Sequence, residues 1–134
     1  MKRLASVLSV LLGIFMIWGG VNHFLKPTFY VPFVPDFLPV REAFVALSGG
    51  VEILLGIAAL VPRLRPAAGW GIMVLMFAFL PVHVWDVFRS EPAIGSHAAA
   101  LIRLPIQFVF ILWAGFVAKF AGKPAQAHVL PPQT

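Results

Sequence analysis

Hydrophobic residues run along this chain in four long blocks, and the few polar ones gather at their ends or fall singly inside them. The first block, Leu4 to Leu25, carries no formal charge. The second, Ala43 to Val61, is interrupted by Glu52. The third, Ala67 to Phe88, carries His83 and Asp86 near its end, and the fourth, about Ala98 to Ala121, has Arg103 and Gln107 near its start. Each block is close to the ~20 residues that a helix needs to cross a hydrocarbon core. Lipid offers the backbone no hydrogen-bond partner, so runs of this length read as helices. The pattern predicts an all-α fold: an integral membrane four-helix bundle over residues 1–122.

The breaks are well marked. Residues Lys26 to Val40 read KPTFYVPFVPDFLPV, and the prolines at 27, 32, 35 and 39 leave no room for a regular helix. The aromatic residues there (Phe29, Tyr30, Phe33, Phe37) suit a headgroup region. Pro62, Arg63, Arg65 and Pro66 make a tight turn, and Arg89 to Ser96, with Pro92 and Gly95, makes the third break. Residues 123–134 are Pro- and Gln-rich and read as a disordered tail. Lys2 and Arg3 ahead of an apolar run resemble a signal peptide. The run is long and no small-residue cleavage site follows, so an uncleaved first span is expected. Neither a tandem repeat nor a low-complexity stretch is visible.

Composition supports the membrane reading. Of 134 residues, 60% are hydrophobic and 11% charged, against about a quarter charged in soluble domains. The chain has no cysteine, which excludes disulfides, thiolate metal sites and dithiol chemistry. The formal charge of +5 sits at the ends of the apolar blocks, as topology signals do, so no nucleic-acid partner is expected. Lys2, Arg3, Arg63, Arg65, Lys119 and Lys123 fall on one side of the bundle; Lys26, Arg41, Arg89 and Arg103 fall on the other, along with Asp36, Glu42, Asp86 and Glu91. The positive-inside rule then places both termini in the cytoplasm.

That topology brings the polar residues of spans one, three and four toward the external side. His23, His83 and Asp86 approach it at the ends of rising spans, and Arg103 and Gln107 begin a descending one. Glu52 lies about ten residues into span two, roughly 15 Å deep and near the midplane. His83 and Asp86 share a helix face, as do Arg103 and Gln107. Glu52 shares a stripe with Ser48, Gly49, Gly56 and Ala59, while Gly19, Gly20 and His23 make a comparable stripe on span one. Small residues of this kind let backbones approach closely. An unpaired carboxylate at mid-bilayer costs a few kcal/mol, so Glu52 should be neutral, paired or facing a wet cavity. The economical arrangement is a polar cluster of His23, Glu52, His83, Asp86, Arg103 and Gln107, open outward and roofed by the Pro-rich loop. Two structural readings stand beside it: an Arg103–Asp86 ion pair locking spans three and four, and a Glu52 that only hydrogen-bonds a neighbouring helix. His97 in a loop and His128 in the tail are assigned no role, and no metal site is assigned.

Several segments carry a family resemblance. GGVNHFLKP, SGGVEILLGIAALVP, FLPVHVWDV and RLPIQFVFILWAG, spread over residues 13 to 115, resemble the DoxX-like family of small bacterial membrane proteins. The Ser-Gly-x-x-Glu-x-x-x-Gly and Arg-Leu-Pro-x-Gln patterns are the most telling. The positions that the family pattern marks fall on Asn22, His23, Ser48, Glu52, His83, Arg103 and Gln107. Many members carry Asn where His83 stands, which would make a role for His83 a subgroup feature. The resemblance implies a four-helix bundle in the bacterial inner membrane. It also points to a neighbourhood of function, since the family takes its name from a membrane subunit linked to thiosulfate oxidation coupled to quinone reduction.

The leading expectation is a small membrane subunit that binds a quinone-like or other lipophilic ligand and serves a membrane redox system beside a partner oxidoreductase. Arg103, Gln107 and His83 would supply hydrogen-bond donors to a quinone headgroup, and Glu52 and His23 a proton path. The alternative is a non-catalytic scaffold or assembly factor for a partner membrane protein, docking it through small-residue faces. Sharper but thinner ideas are axial ligation of a haem by His23 and His83, or a metal bound with Glu52 or Asp86. A proton-coupled transporter of this size would need a homo-oligomer. No catalytic residue is identified.

Overall fold

The computed structural model describes residues 1–122; the expectations for a disordered tail, Lys123 and His128 lie outside the described residues. Among the described residues every regular element is a helix. The elements are α1 (Lys2–Leu25), α2 (Pro27–Tyr30), a 3-10 turn (Val31–Phe33), α3 (Arg41–Leu60), α4 (Arg65–Phe88) and α5 (His97–Phe120). The four long helices are each long and apolar enough to cross a membrane; one of 24 residues extends about 36 Å. Each starts one or two residues before its apolar block, because a charged or polar residue in a first turn loses no hydration.

Helix ends follow local chemistry. Ser96 caps α5, its Oγ accepting from the Ala99 N–H at 3.1 Å. Pro66 stands in the first turn of α4, where its missing N–H costs nothing. The same rule corrects one expectation about the Pro-rich break. Pro27 and Pro32 each stand in a first turn, so the break opens with one α-helical turn followed by a 3-10 turn. A second correction concerns His97, expected in a loop. It is the first residue of α5, and its Nε2 lies 2.8 Å from the Arg89 carbonyl oxygen.

The long helices form an antiparallel ring in the order α1, α3, α4, α5, back to α1. Glycines set the α1–α3 distance. A Cβ on Gly13 would lie 2.7 Å from the Gly56 carbonyl oxygen, and one on Gly20 would lie 2.6 Å from that of Gly49. Both pairs repeat at seven residues on each helix, the spacing that keeps one seam facing a partner along its length. Ser9 continues the seam, its Oγ donating to the Ala59 carbonyl at 2.8 Å. On the opposite side, a Cβ on Gly69 of α4 would meet the Ala118 nitrogen of α5 at 2.5 Å. The α1–α5 side is closed by Trp113 Nε1 donating to the Leu8 carbonyl at 3.0 Å and by stacked Phe15 and Phe110, centroids 4.7 Å apart.

Leu12, Ile72 and Val117 are fully buried in a core that occupies the half of the ring near the termini. The outside of the bundle is apolar, with Leu11, Leu47, Leu54, Val74 and Leu112 all exposed. The other end is roofed by residues 26–40, called the cap below. Three arginines hold the cap's 3-10 turn. Arg41 donates to the carbonyls of Val31 and Val34 at 2.9 and 3.1 Å, Arg89 donates to that of Pro32 at 2.8 Å, and the Arg103 guanidinium lies 4.3 Å above the Phe33 ring. The cap rejoins α3 through Val40, whose φ of 53° puts a β-branched residue in the left-handed region. Such a conformation costs on the order of 1–3 kcal/mol and persists only where neighbours hold it; the Arg41 bonds adjoin it.

Candidate functional site

Under the cap the four helices enclose a cavity of about 440 Å³. Its walls are mainly apolar and aromatic, with Phe15, Phe33, Phe44, Phe79 and Phe110 among them. Met16 and Met76 lie both in the cavity wall and among the residues of the core. Trp18 of α1 and Ile106 of α5, both well exposed, belong to the rim.

Five of the six residues expected to form a polar cluster line this cavity: His23, Glu52, His83, Arg103 and Gln107. Asp86 does not. It is buried, and its carboxylate accepts from the Ala93 N–H at 2.6 Å while Arg89 stands 3.7 Å away. Asp86 therefore anchors the loop between α4 and α5. The expected Arg103–Asp86 ion pair is not formed at contact distance; the loop's N–H groups are nearer partners for that carboxylate than a guanidinium that reaches Phe33.

His23 and Glu52 make a dyad. His23 Nδ1 lies 3.0 Å from the Val45 carbonyl oxygen and 3.1 Å from Ser48 Oγ. The Ser48 hydroxyl spends its single proton on Val45 O at 3.0 Å, so toward His23 it can only accept. With two acceptors around it, Nδ1 carries a proton. Nε2 then faces Glu52 Oε1 at 3.4 Å as either a bare lone pair or a cationic N–H. In the first case Glu52 is a neutral acid, and in the second a carboxylate. With one proton between Oε1 and Nε2 the pair has no net charge; without it Glu52 is a carboxylate and the pair is an anion.

His83 is oriented the same way, with Nδ1 donating to the Phe79 carbonyl at 2.8 Å, which leaves Nε2 as the acceptor of the neutral ring. Gln107 Nε2 donates to the Met76 carbonyl at 2.8 Å, so its amide oxygen is the atom left for a ligand. Arg103 differs from its neighbours: its Nη1 is buried and has no hydrogen-bond partner among the described residues.

The cap contributes residues that spacing arguments missed. Tyr30 stacks on the His23 ring, centroids 4.0 Å apart, and lines the cavity with Phe33. Burial pushes the Tyr30 phenol above its ordinary pKa, the Glu52 charge adds to this, and Arg103 opposes it. Tyr30 therefore stays protonated and able to donate at neutral pH. A hint lay in its being the sole tyrosine in a chain with 13 phenylalanines, since a buried or interfacial hydroxyl needs a polar use. Arg41 and Arg89, read as topology signals, are clamps on the cap. Asn22 does not line the cavity and donates to its own helix at the Trp18 carbonyl.

The site does not suit haem. Axial ligation by His23 would take the Nε2 that already faces Glu52. Among the described residues, no group of three or more His, Cys, Asp or Glu side chains could hold a metal ion.

The chain belongs to the family described as a domain of unknown function (DUF8561), which matches residues 12–118 and so takes in most of every long helix, the cap and the cavity. No curated protein and no solved structure matches it.

Proposed function

We propose that this chain is a multi-pass protein of the bacterial cytoplasmic membrane that holds a quinone-like lipophilic ligand beneath its cap and serves a membrane redox system. Membrane placement rests on the inverted surface: exposed leucines and valines outside, the polar groups of the helices inside. Both termini are assigned to the cytoplasm. Lys2, Arg3, Arg63, Arg65 and Lys119 lie at or near the terminal end, whereas Arg41, Arg89 and Arg103 at the other end are engaged with the cap.

The observation that carries the ligand reading is the cavity itself. It is mainly apolar, and a few polar groups converge in it, which is the usual form of a small-molecule site. Aromatic walls suit a planar ring. Arg103 and Tyr30 can donate to one ring oxygen, and the His23–Glu52 dyad offers a transferable proton to another. The resemblance to DoxX-like proteins favours the same ligand class. The scaffold reading has less to rest on, because its docking faces are used within the chain: Gly13, Gly20, Gly49 and Gly56 join α1 to α3, and Gly69 joins α4 to α5.

Gly19 supplies the test. A Cβ there would meet only Glu52 Oε2, at 3.1 Å, so a larger side chain grows into the cavity and not into a helix. Native mass spectrometry of the wild-type protein in lipid nanodiscs is expected to show an added mass matching a quinone, absent from Gly19→Leu. A bare wild-type chain, or the same mass on both proteins, would refute the proposal.

A further inference from the structure

Among the residues that line the cavity, Arg103 stands without an acid at contact distance. Arg103 is a permanent cation, and its Nη1 is sealed from solvent without a hydrogen-bond partner among the described residues. Of the nearby acids, Asp86 is turned to the Ala93 N–H, the Ile94 N–H and Arg89. Glu52 is the acid in the wall, and its dyad with His23 is neutral while it keeps its proton. What Arg103 does touch is the face of Phe33, a weak substitute for a charge-assisted hydrogen bond. The guanidinium also lines the cavity, where a bound group can meet its charge directly.

We infer that the cavity binds an acidic amphiphile: an ionised oxygen, of carboxylate or phenolate type, paired with Arg103, on an apolar body that lies against the aromatic wall and reaches the rim at Trp18 and Ile106. This rests on the proposed quinone-like ligand and narrows it to a ring that carries an ionised hydroxyl or carboxyl group. A neutral headgroup accepts a hydrogen bond from Arg103 but leaves the charge uncompensated. An ionised one does both, and a planar two-oxygen headgroup matches the guanidinium fork. A cationic headgroup would place like charges together in an apolar space, which is strongly unfavourable. Of the remaining polar atoms, His83 Nε2 and Gln107 Oε1 are acceptors that would repel a second ionised oxygen. The ligand's charge therefore lies at the Arg103 end.

The experiment compares 4-hexylbenzoate with its neutral isostere 4-hexylbenzamide, which share shape and apolar body. Binding to the wild-type protein in nanodiscs of zwitterionic lipid is measured by calorimetry, with empty nanodiscs subtracted. The acid is expected to bind about tenfold or more tightly, the scale of one charge-assisted hydrogen bond in a desolvated site. Arg103→Lys should keep a preference for the acid, whereas Arg103→Gln should abolish it without abolishing amide binding. Equal affinity of acid and amide for the wild-type protein would overturn the inference and leave the lipophilic-site reading standing. Failure of both to bind would refute that reading, and this inference with it.

Discussion

The two ends of this bundle are built from the same four helices and have opposite interiors. Near the termini, small residues let the backbones close up: Gly13 against Gly56, Gly69 against Ala118, and Ser9 bonded to the Ala59 carbonyl. Leu12, Ile72 and Val117 fill what space remains. Toward the cap the inward positions pass to Phe79, His83, Arg103 and Phe110, and the helices enclose a cavity. In the membrane setting proposed above, helices gain little from apolar burial, so packing and hydrogen bonds determine where they touch. The terminal end brings α1 against α3 and α4 against α5. Toward the cap the close contact continues between α1 and α3, at Gly20 and Gly49, while the α4–α5 side opens around the cavity. Arginines tie down the roof there in place of a packed core.

That contrast can be broken most severely at the closed end. In Gly69→Val the new side chain meets backbone atoms of Ala118 and Ala114 that cannot swing away. A loss of about 3 kcal/mol or more in detergent unfolding is expected; near-neutrality would mean the helices are less closely held than the contacts imply. At the open end, Glu52→Leu strands His23 Nε2 and should cost about 1–2 kcal/mol. Glu52→Gln supplies an N–H to that nitrogen and is expected to stay within about 0.5 kcal/mol of wild type. Equal costs for the two would argue against a neutral acid and for an ion pair with cationic His23.

Arg89→Gln removes the bond to the Pro32 carbonyl and should cost about 1 kcal/mol. Its more specific signature is hydrogen exchange: amides of residues 26–40 lose protection while those around Leu12 and Val117 keep theirs. Smaller still is Trp113→Phe, which keeps the aromatic contact but drops the Leu8 bond, at about 0.6 kcal/mol for a hydrogen bond between membrane helices. A loss several times larger would make that bond part of the main lock. The finest probe is the phenol under the cap. Tyr30 is the sole tyrosine, so tyrosinate absorbance reports it alone, and its raised pKa puts the midpoint above the usual value of about 10. Because the unfolded chain would ionise first, stability should fall as pH rises from that value toward the folded pKa. Tyr30→Phe should remove that component; a midpoint at or below the ordinary value would mean that the cap leaves Tyr30 in water.

The sequence by itself determined the four long helices, their approximate ends and the residues from which a site could be made. These are local properties: apolar runs of membrane length, and polar residues too costly to leave in such runs without a use. It marked His23, Glu52, His83, Arg103 and Gln107 together because all four helices turn costly polar positions inward. Tertiary structure decided what spacing cannot encode. Whether Asp86 faces Arg103 or the next loop depends on where the Ala93 N–H arrives, and that depends on the loop's path. Tyr30 and Phe33 enter the site because Arg41, at the start of the next helix, and Arg89, just past the distant end of α4, fold the cap's carbonyls onto the bundle. The cavity exists because close glycine contacts on two sides of the ring coexist with large side chains between them. Volume left between helices depends on all of them at once and is a property of no single segment.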